Sequence, residues 1–211
     1  MRDPETVSTP IRRRLEIQGL GRIYPVKPGN QHWQHEQNFL KGAEMSQVAE
    51  INGVNVTKML EFKDIVRQDP TKADRNPTLV AHWVGGSRSR VEFKDKVVHL
   101  GGDDEFNPMQ MLLATLAACD VDVIATHASF LGLKIESLSV EATGHFNVQS
   151  YLGLKGAPAS GYDAMSYTVR LSVPGATPEQ IACLRERCRR SSPVGDSLAR
   201  AIPLKLEFKP N

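Results

Sequence analysis

Residues 107–132 read NPMQMLLATLAACDVDVIATHASFLG. Asn107 offers an N-cap, and Pro108 sits where a missing amide costs nothing. Gly132 supplies the stop. The stretch predicts a helix from Pro108 to about Leu131, roughly 36 Å long at 1.5 Å per residue. Met111, Leu112, Leu116, Cys119, Val123 and Ala128 mark an apolar surface, yet the run is apolar nearly all round. Such a helix is normally the buried centre of a domain. Its most apolar run, Met111 to Ala118, is short and ends at Asp120 and Asp122, so no bilayer span is expected.

Working outward, Ile51 to Val56 reads as a short strand with a tight turn at Asn52-Gly53. Thr57 is the expected cap of a helix over 58–68, with Met59, Phe62, Ile65 and Val66 at helical spacing and Asp69-Pro70 as its end. Thr78 to Val84 and Arg88 to Lys94 form a hairpin signal around Gly85-Gly86, and Val97 to Leu100 adds a third strand. Beyond the long helix, Ile135 to Gly144 and Met165 to Val173 read as strands. Thr177-Pro178-Glu179-Gln180 is a capping box opening a helix to about Arg190. Ser192-Pro193 repeats the N-cap and proline pair for a short helix through Arg200, and Pro203 to Phe208 reads as a last strand. This order of strands and helices predicts an α+β fold.

The chain has 211 residues, 40% of them hydrophobic and 24% charged, which fits one globular domain with an appendage. Residues 1–44 contain Pro4, Pro10, Pro25, Pro28 and the run Arg12-Arg13-Arg14, with no sustained apolar period. They read as an N-terminal extension to a domain over 45–211. The net charge of +2 comes from 7 basic and 5 acidic residues in that extension. No broad basic field is left for nucleic acid. Three cysteines, an odd number, argue against a disulfide framework. With no signal-like apolar stretch, a cytoplasmic location is expected.

Cys119 is the first candidate for chemistry, since a thiolate attacks peroxide, disulfide or acyl centres. It lies too far along the helix for the dipole to activate it. Asp122, three residues on, would oppose ionisation if it faced the thiol. A buried, inert thiol is the competing reading. Cys183 and Cys188 lie about 140° apart around their helix, and Cys188 follows Ile181 and Leu184 as a core position. Cys119, Asp122 and His127 match no zinc spacing, so no metal and no cofactor is expected. Gly85-Gly86-Ser87-Arg88-Ser89-Arg90 lacks the ending of a phosphate loop and leads into a strand. Arg88 and Arg90 share one face of that strand, either toward solvent or toward a thiolate brought close by packing.

Together these residues resemble a known family. Asn107-Pro108-Met109-Gln110-Met111-Leu112-Leu113 followed by Ala117-Ala118-Cys119 resembles the active-site helix of the OsmC/Ohr family, the osmotically inducible and organic-hydroperoxide-resistance proteins. Ser192-Pro193-Val194 stands where that family has Cys-Pro-Val. Trp83 to Arg90 and Tyr151-Leu152-Gly153-Leu154 are similar to a subgroup of OsmC-like proteins. The likeness runs from about Ile51 to Phe208.

The resemblance implies antiparallel sheets wrapped around two central helices in an intertwined homodimer, with paired sites at the interface. It also implies a peroxidatic cysteine, a resolving cysteine, a strand arginine and a glutamate ten residues before the first cysteine. Here Cys119 matches the peroxidatic cysteine, and Arg88 or Arg90 matches the arginine. Met109 occupies the glutamate position, and Ser192 occupies that of the resolving cysteine. Cys188, one turn earlier, is a displaced alternative that its spacing buries. The expected activity is therefore a single-cysteine reduction of an organic hydroperoxide, reset by a thiol reductant. The rival is a catalytically decayed dimer that binds an apolar small molecule. Acyl transfer at Cys119 lacks a His/Asp constellation.

Overall fold

The computed structural model describes the backbone of residues 15–19 and the whole of residues 50–210. Arg12–Arg14 and most of residues 1–44 lie outside the described residues. The elements in chain order are β1 (Leu15–Gly19), β2 (Glu50–Ile51), β3 (Val54–Asn55), α1 (Val56–Gln68), a 3-10 turn (Pro70–Ala73), β4 (Val80–Trp83), β5 (Ser89–Phe93) and β6 (Lys96–Leu100). They continue with α2 (Pro108–Phe130), β7 (Ser137–Phe146), β8 (Tyr162–Ser172), α3 (Pro178–Ser191) and α4 (Pro193–Ala199). Helices and antiparallel sheets alternate irregularly, so the fold class is α+β.

The long helix forms as its caps dictate. The Asn107 side chain accepts from the Gln110 amide, and the Gln110 side chain accepts from the Asn107 amide, closing a capping box. The buried residues of α2 are Leu116, Asp120, Val123, Ile124, Ala128, Ser129 and Phe130, concentrated in its C-terminal half. By length and composition α2 could cross a membrane. Within this chain its C-terminal half is core: Ile124 and Ala128 pack with Val169 and Leu171 of β8 and with Ile181, Cys183, Leu184 and Cys188 of α3. Each such side chain contributes roughly 1.5–3 kcal/mol on leaving water.

β8 is the centre of a three-stranded antiparallel sheet in the order β1-β8-β7. Leu15 pairs with Leu171 and Gly19 with Tyr167, so a strand enters from the segment where no period announces one. A ladder satisfies backbone groups whatever the side-chain pattern, which is why periodicity misses it. A second sheet, β4-β5-β6, is a meander. Its first turn uses Gly85 and Gly86 at positive φ, and the Trp83 indole donates to the Gly86 carbonyl at 2.9 Å.

Two expectations need correction. Helix α1 begins at Val56 with Asn55 as its cap, not Thr57, because the Asn55 side chain reaches the Lys58 amide at 2.9 Å. Pro203 to Phe208 forms no strand among the described residues, and Leu204, Leu206 and Phe208 are exposed. The alternating pattern is present, but no strand among the described residues supplies a ladder for it.

Asn52 fastens the β2-β3 hairpin to the end of α2. Its amide donates to Ser129 Oγ at 3.0 Å and to the Leu133 carbonyl at 2.9 Å, and its Oδ1 accepts from the Ile135 amide at 2.9 Å. Its φ of 53° is left-handed, a region asparagine tolerates better than alanine. Asn52→Ala is expected to lower the unfolding free energy by about 2 kcal/mol, read by urea denaturation. A loss within error of zero would mean that these bonds exchange freely with water.

Candidate active site

Cys119 sits midway along α2, one residue before the fully buried Asp120. It is half-buried, whereas Cys183 and Cys188 are buried, and none of the three is in a disulfide. Ser192 approaches Cys119 from the junction of α3 and α4, its hydroxyl donating to Sγ at 3.5 Å. Ser192 earns its place as the N-cap of α4, since Oγ also accepts from the Gly195 amide at 3.1 Å. A side chain at Gly195 would crowd that oxygen, because a Cβ there would stand 2.9 Å from it.

Residues 119 and 120 diverge by about 100° around the helix, so Asp120 faces inward toward α3 and β8. Its polar neighbours are the Ser192 hydroxyl and the Cys188 thiol. No hydrogen bond of good geometry closes on either carboxylate oxygen. Burial holds the Asp120 carboxyl above its usual range, against the opposing influence of Ser192 and Cys188. Burial likewise pushes the Cys188 thiol well up, with the Asp120 charge adding to it. Tyr167 of β8 completes the cluster; burial, then Cys188 and Asp120, push its phenol up to about 12.

The arginines lie elsewhere in the chain. Arg88 pairs with Glu105 at 3.2 Å, and Glu105 also accepts from the Gly102 amide at 2.8 Å. That amide bond, with Arg88 adding to it, holds the Glu105 carboxyl below its usual range. Arg90 pairs with Glu92 on its own strand. A shallow cleft of about 440 Å3 runs past Arg88, Asp103, Asp104 and Glu105, and Cys119 does not line it. Met109 lies in the first turn of α2, its carbonyl accepting from the Tyr162 hydroxyl at 2.7 Å. Among the described residues no group of three metal-ligating side chains converges.

A family profile described as OsmC-like protein matches residues 101–207. This span holds the long helix, β7, β8, α3 and α4 with all three cysteines. The chain belongs to the OsmC-like family.

Solved structures similar to this OsmC-like chain include an OsmC-like protein from Mycoplasma pneumoniae, 17% identical, covering 59% of this chain and 88% of that one at a TM-score of 0.48. An OsmC-like protein of unknown function from Vibrio cholerae is 12% identical, covering 59% and 94% at a TM-score of 0.46. An organic hydroperoxide resistance protein OsmC from Legionella pneumophila is 20% identical, covering 60% and 90% at a TM-score of 0.41. Comparison with curated proteins finds no match.

Of the residues singled out in the sequence, the structure brings together Cys119, Ser192 and, at the edge of the cluster, Cys188. Arg88 and Arg90 are held by carboxylates of their own region. Asp120, Tyr167 and Glu105 escaped the sequence reading as site residues. Asp120 carries one signal that was available: a carboxylate, like Asp122, inside a mostly apolar helix.

The raised carboxyl of Asp120 makes stability depend on pH. An acid whose folded pKa lies above its unfolded value contributes fully below the unfolded value, and the contribution is lost as pH rises through the folded one. The wild-type protein should therefore lose stability relative to Asp120→Asn as pH climbs from the ordinary carboxylate range toward neutrality. Urea unfolding of both proteins at several pH values tests this. A difference that is flat with pH would show that Asp120 ionises as freely in the folded chain as in the unfolded one.

Proposed function

We propose that this OsmC-like protein is a thiol-dependent organic hydroperoxide reductase of oxidative-stress defence, with Cys119 as its single peroxidatic cysteine. One observation carries the reading: of the three cysteines, the one on the family helix is reachable from solvent while the other two are buried, and a hydroxyl donor contacts its sulfur. The Cys119 thiolate attacks the distal peroxide oxygen, the O–O bond breaks, and the leaving alkoxide takes a proton to become an alcohol. Sulfur is oxidised to a sulfenic acid. A solution thiol condenses with it, releasing water, and a second thiol reduces the mixed disulfide. Ser192 cannot form a disulfide, so the reductant is external.

The working unit in this reading is a homodimer. Met59, Phe62 and Ile65 on α1, Trp83 and Val84 by β4, Val97 and Val98 on β6, and Leu204, Leu206 and Phe208 near the C-terminus are all exposed in the single chain. Apolar surface on this scale is normally covered by a partner. Assembly would bring an arginine to Cys119. Arg88 is the better placed of the two, since Glu105 and the close approach of Gly102 fix its guanidinium at the loop before α2. The dimer acts in the cytoplasm, where small thiols keep all three cysteines reduced.

A second reading keeps the dimer but makes it a binder of an apolar small molecule. It is favoured by Met109 and Ser192 standing where the family resemblance implies a glutamate and a second cysteine.

Cys119→Ser should abolish cumene hydroperoxide consumption with dithiothreitol as reductant, and Arg88→Met should lower kcat/KM by about 10–100-fold. Unchanged turnover in Cys119→Ser would overturn Cys119 as the peroxidatic residue, and no turnover by the wild-type protein would favour the binder. Light scattering should give twice the 23.3 kDa chain mass. A monomer at micromolar concentration would remove the dimer from the mechanism.

A further inference from the structure

We propose that the Ser192 hydroxyl is the hydrogen-bond donor that holds the Cys119 sulfur as a thiolate. The inference deepens the reading of Cys119 as the nucleophile, on which it rests. It gives position 192 a task in place of the disulfide that a serine cannot form.

Local constraints aim the hydroxyl. Pro193 confines the residue before it to extended backbone, and Ser192 stands at φ -75° and ψ 107°. The Gly195 amide donates to Ser192 Oγ at 3.1 Å, which fills an acceptor site and leaves the hydroxyl hydrogen to be given elsewhere. That hydrogen goes to Cys119 Sγ, at an Oγ to Sγ distance of 3.5 Å. Asp120, a neighbouring competitor for it, receives no hydrogen bond on either oxygen. Gly195 completes the arrangement. Glycine inside a helix is unfavourable, yet a Cβ here would stand 2.9 Å from Ser192 Oγ and 3.8 Å from Leu116 Cδ1. Leu116 and Cys119 are one turn apart on the same face of α2. The absent side chain at 195 thus lets the start of α4 settle against the face that carries the sulfur.

The aimed hydroxyl favours one protonation state of the sulfur. A thiol is a weak acceptor, whereas an anion takes a hydrogen bond roughly twice as strong. Ser192 is only 3% exposed, so water does not compete for its hydrogen. The titratable groups nearby are acids. On α2, Asp120 is buried with its carboxyl held above its usual range, and Asp122 is exposed. Cys188 on α3 is kept protonated by burial and then by Asp120, and Tyr167 on β8 is pushed up to about 12 by burial first. Asp196 on α4 pairs with Arg200 at 2.8 Å. None of these acids attracts a negative sulfur; the hydroxyl does.

A donor of this kind leaves a kinetic signature. It raises the fraction of thiolate at low pH, and it lowers the intrinsic reactivity of each thiolate, because nucleophilicity falls along with basicity. Removing the donor therefore moves the two limbs of a pH–rate profile in opposite directions. Loss of a helix cap or loosening of the site changes access at every pH alike.

The test is the rate at which dithiodipyridine forms a mixed disulfide at Cys119 from pH 5 to pH 10, followed by peptide mass spectrometry on the full-length protein. Ser192→Ala removes both the donor and the cap. Ser192→Gly removes the donor but keeps a residue that starts helices nearly as well as serine. Both variants should shift the midpoint of the profile up by about one pH unit, as expected for one hydrogen bond to an ion. Both should react about threefold slower than wild type on the acid limb and about threefold faster on the alkaline plateau, so that the curves cross. Curves that do not cross, whether unchanged or displaced uniformly, overturn the proposal. So does a change confined to Ser192→Ala, which would assign Ser192 to capping alone. Dimedone trapping in the wild-type protein after cumene hydroperoxide treatment separates this claim from the one beneath it. A trapped Cys119 sulfenate with curves that do not cross leaves the peroxidase reading standing and removes the donor. Crossing curves with no trapped sulfenate uphold the donor and remove the peroxidase.

Discussion

A 23-residue helix that is apolar nearly all round has no stable place in water, and the chain is organised by the need to cover it. β8 and α3 cover it from Ile124 onward. That packing fixes where everything chemical can be. It holds Cys119 at the margin of the core with its thiol half-exposed, and it turns Asp120, one residue on, completely inward. The junction of α3 and α4 must then cross α2 at this level, which brings Ser192 against the sulfur.

The cost of the arrangement is visible at Asp120. A carboxyl without partners in a dry interior is unfavourable as a charge and only tolerable as an acid. Natural cores seldom keep such a group unless something depends on it. Its neighbours Cys188 and Tyr167 are themselves driven toward their neutral forms, so the cluster is poised to hold protons and not to share charge with solvent.

The other half of the chain shows the opposite condition. Residues 50–100 build a hairpin, an amphipathic helix and a meander, each with correct local chemistry, yet their apolar faces stay uncovered. The same holds for Leu204, Leu206 and Phe208. These segments satisfy their backbones locally and leave their hydrophobic surface exposed within the single chain.

Much of this was legible in the residues alone. Caps and breakers act over three or four positions, so Asn107-Pro108, Gly132, the Thr177 capping box and Ser192-Pro193 placed three helices to within a residue or two. The glycine turn placed the meander, and the motif around Cys119 placed the family, which the match over residues 101–207 bears out. Tertiary structure alone decided the rest, because it depends on what is brought alongside. Strand β1 exists through its pairing with β8, and Pro203 to Phe208 is no strand for want of such a pairing. Position 120 looks like one more polar interruption in sequence. Only packing shows that its carboxyl is buried, unpartnered and next to the hydroxyl that touches the thiol, since burial is a property of neighbours that sequence spacing does not contain.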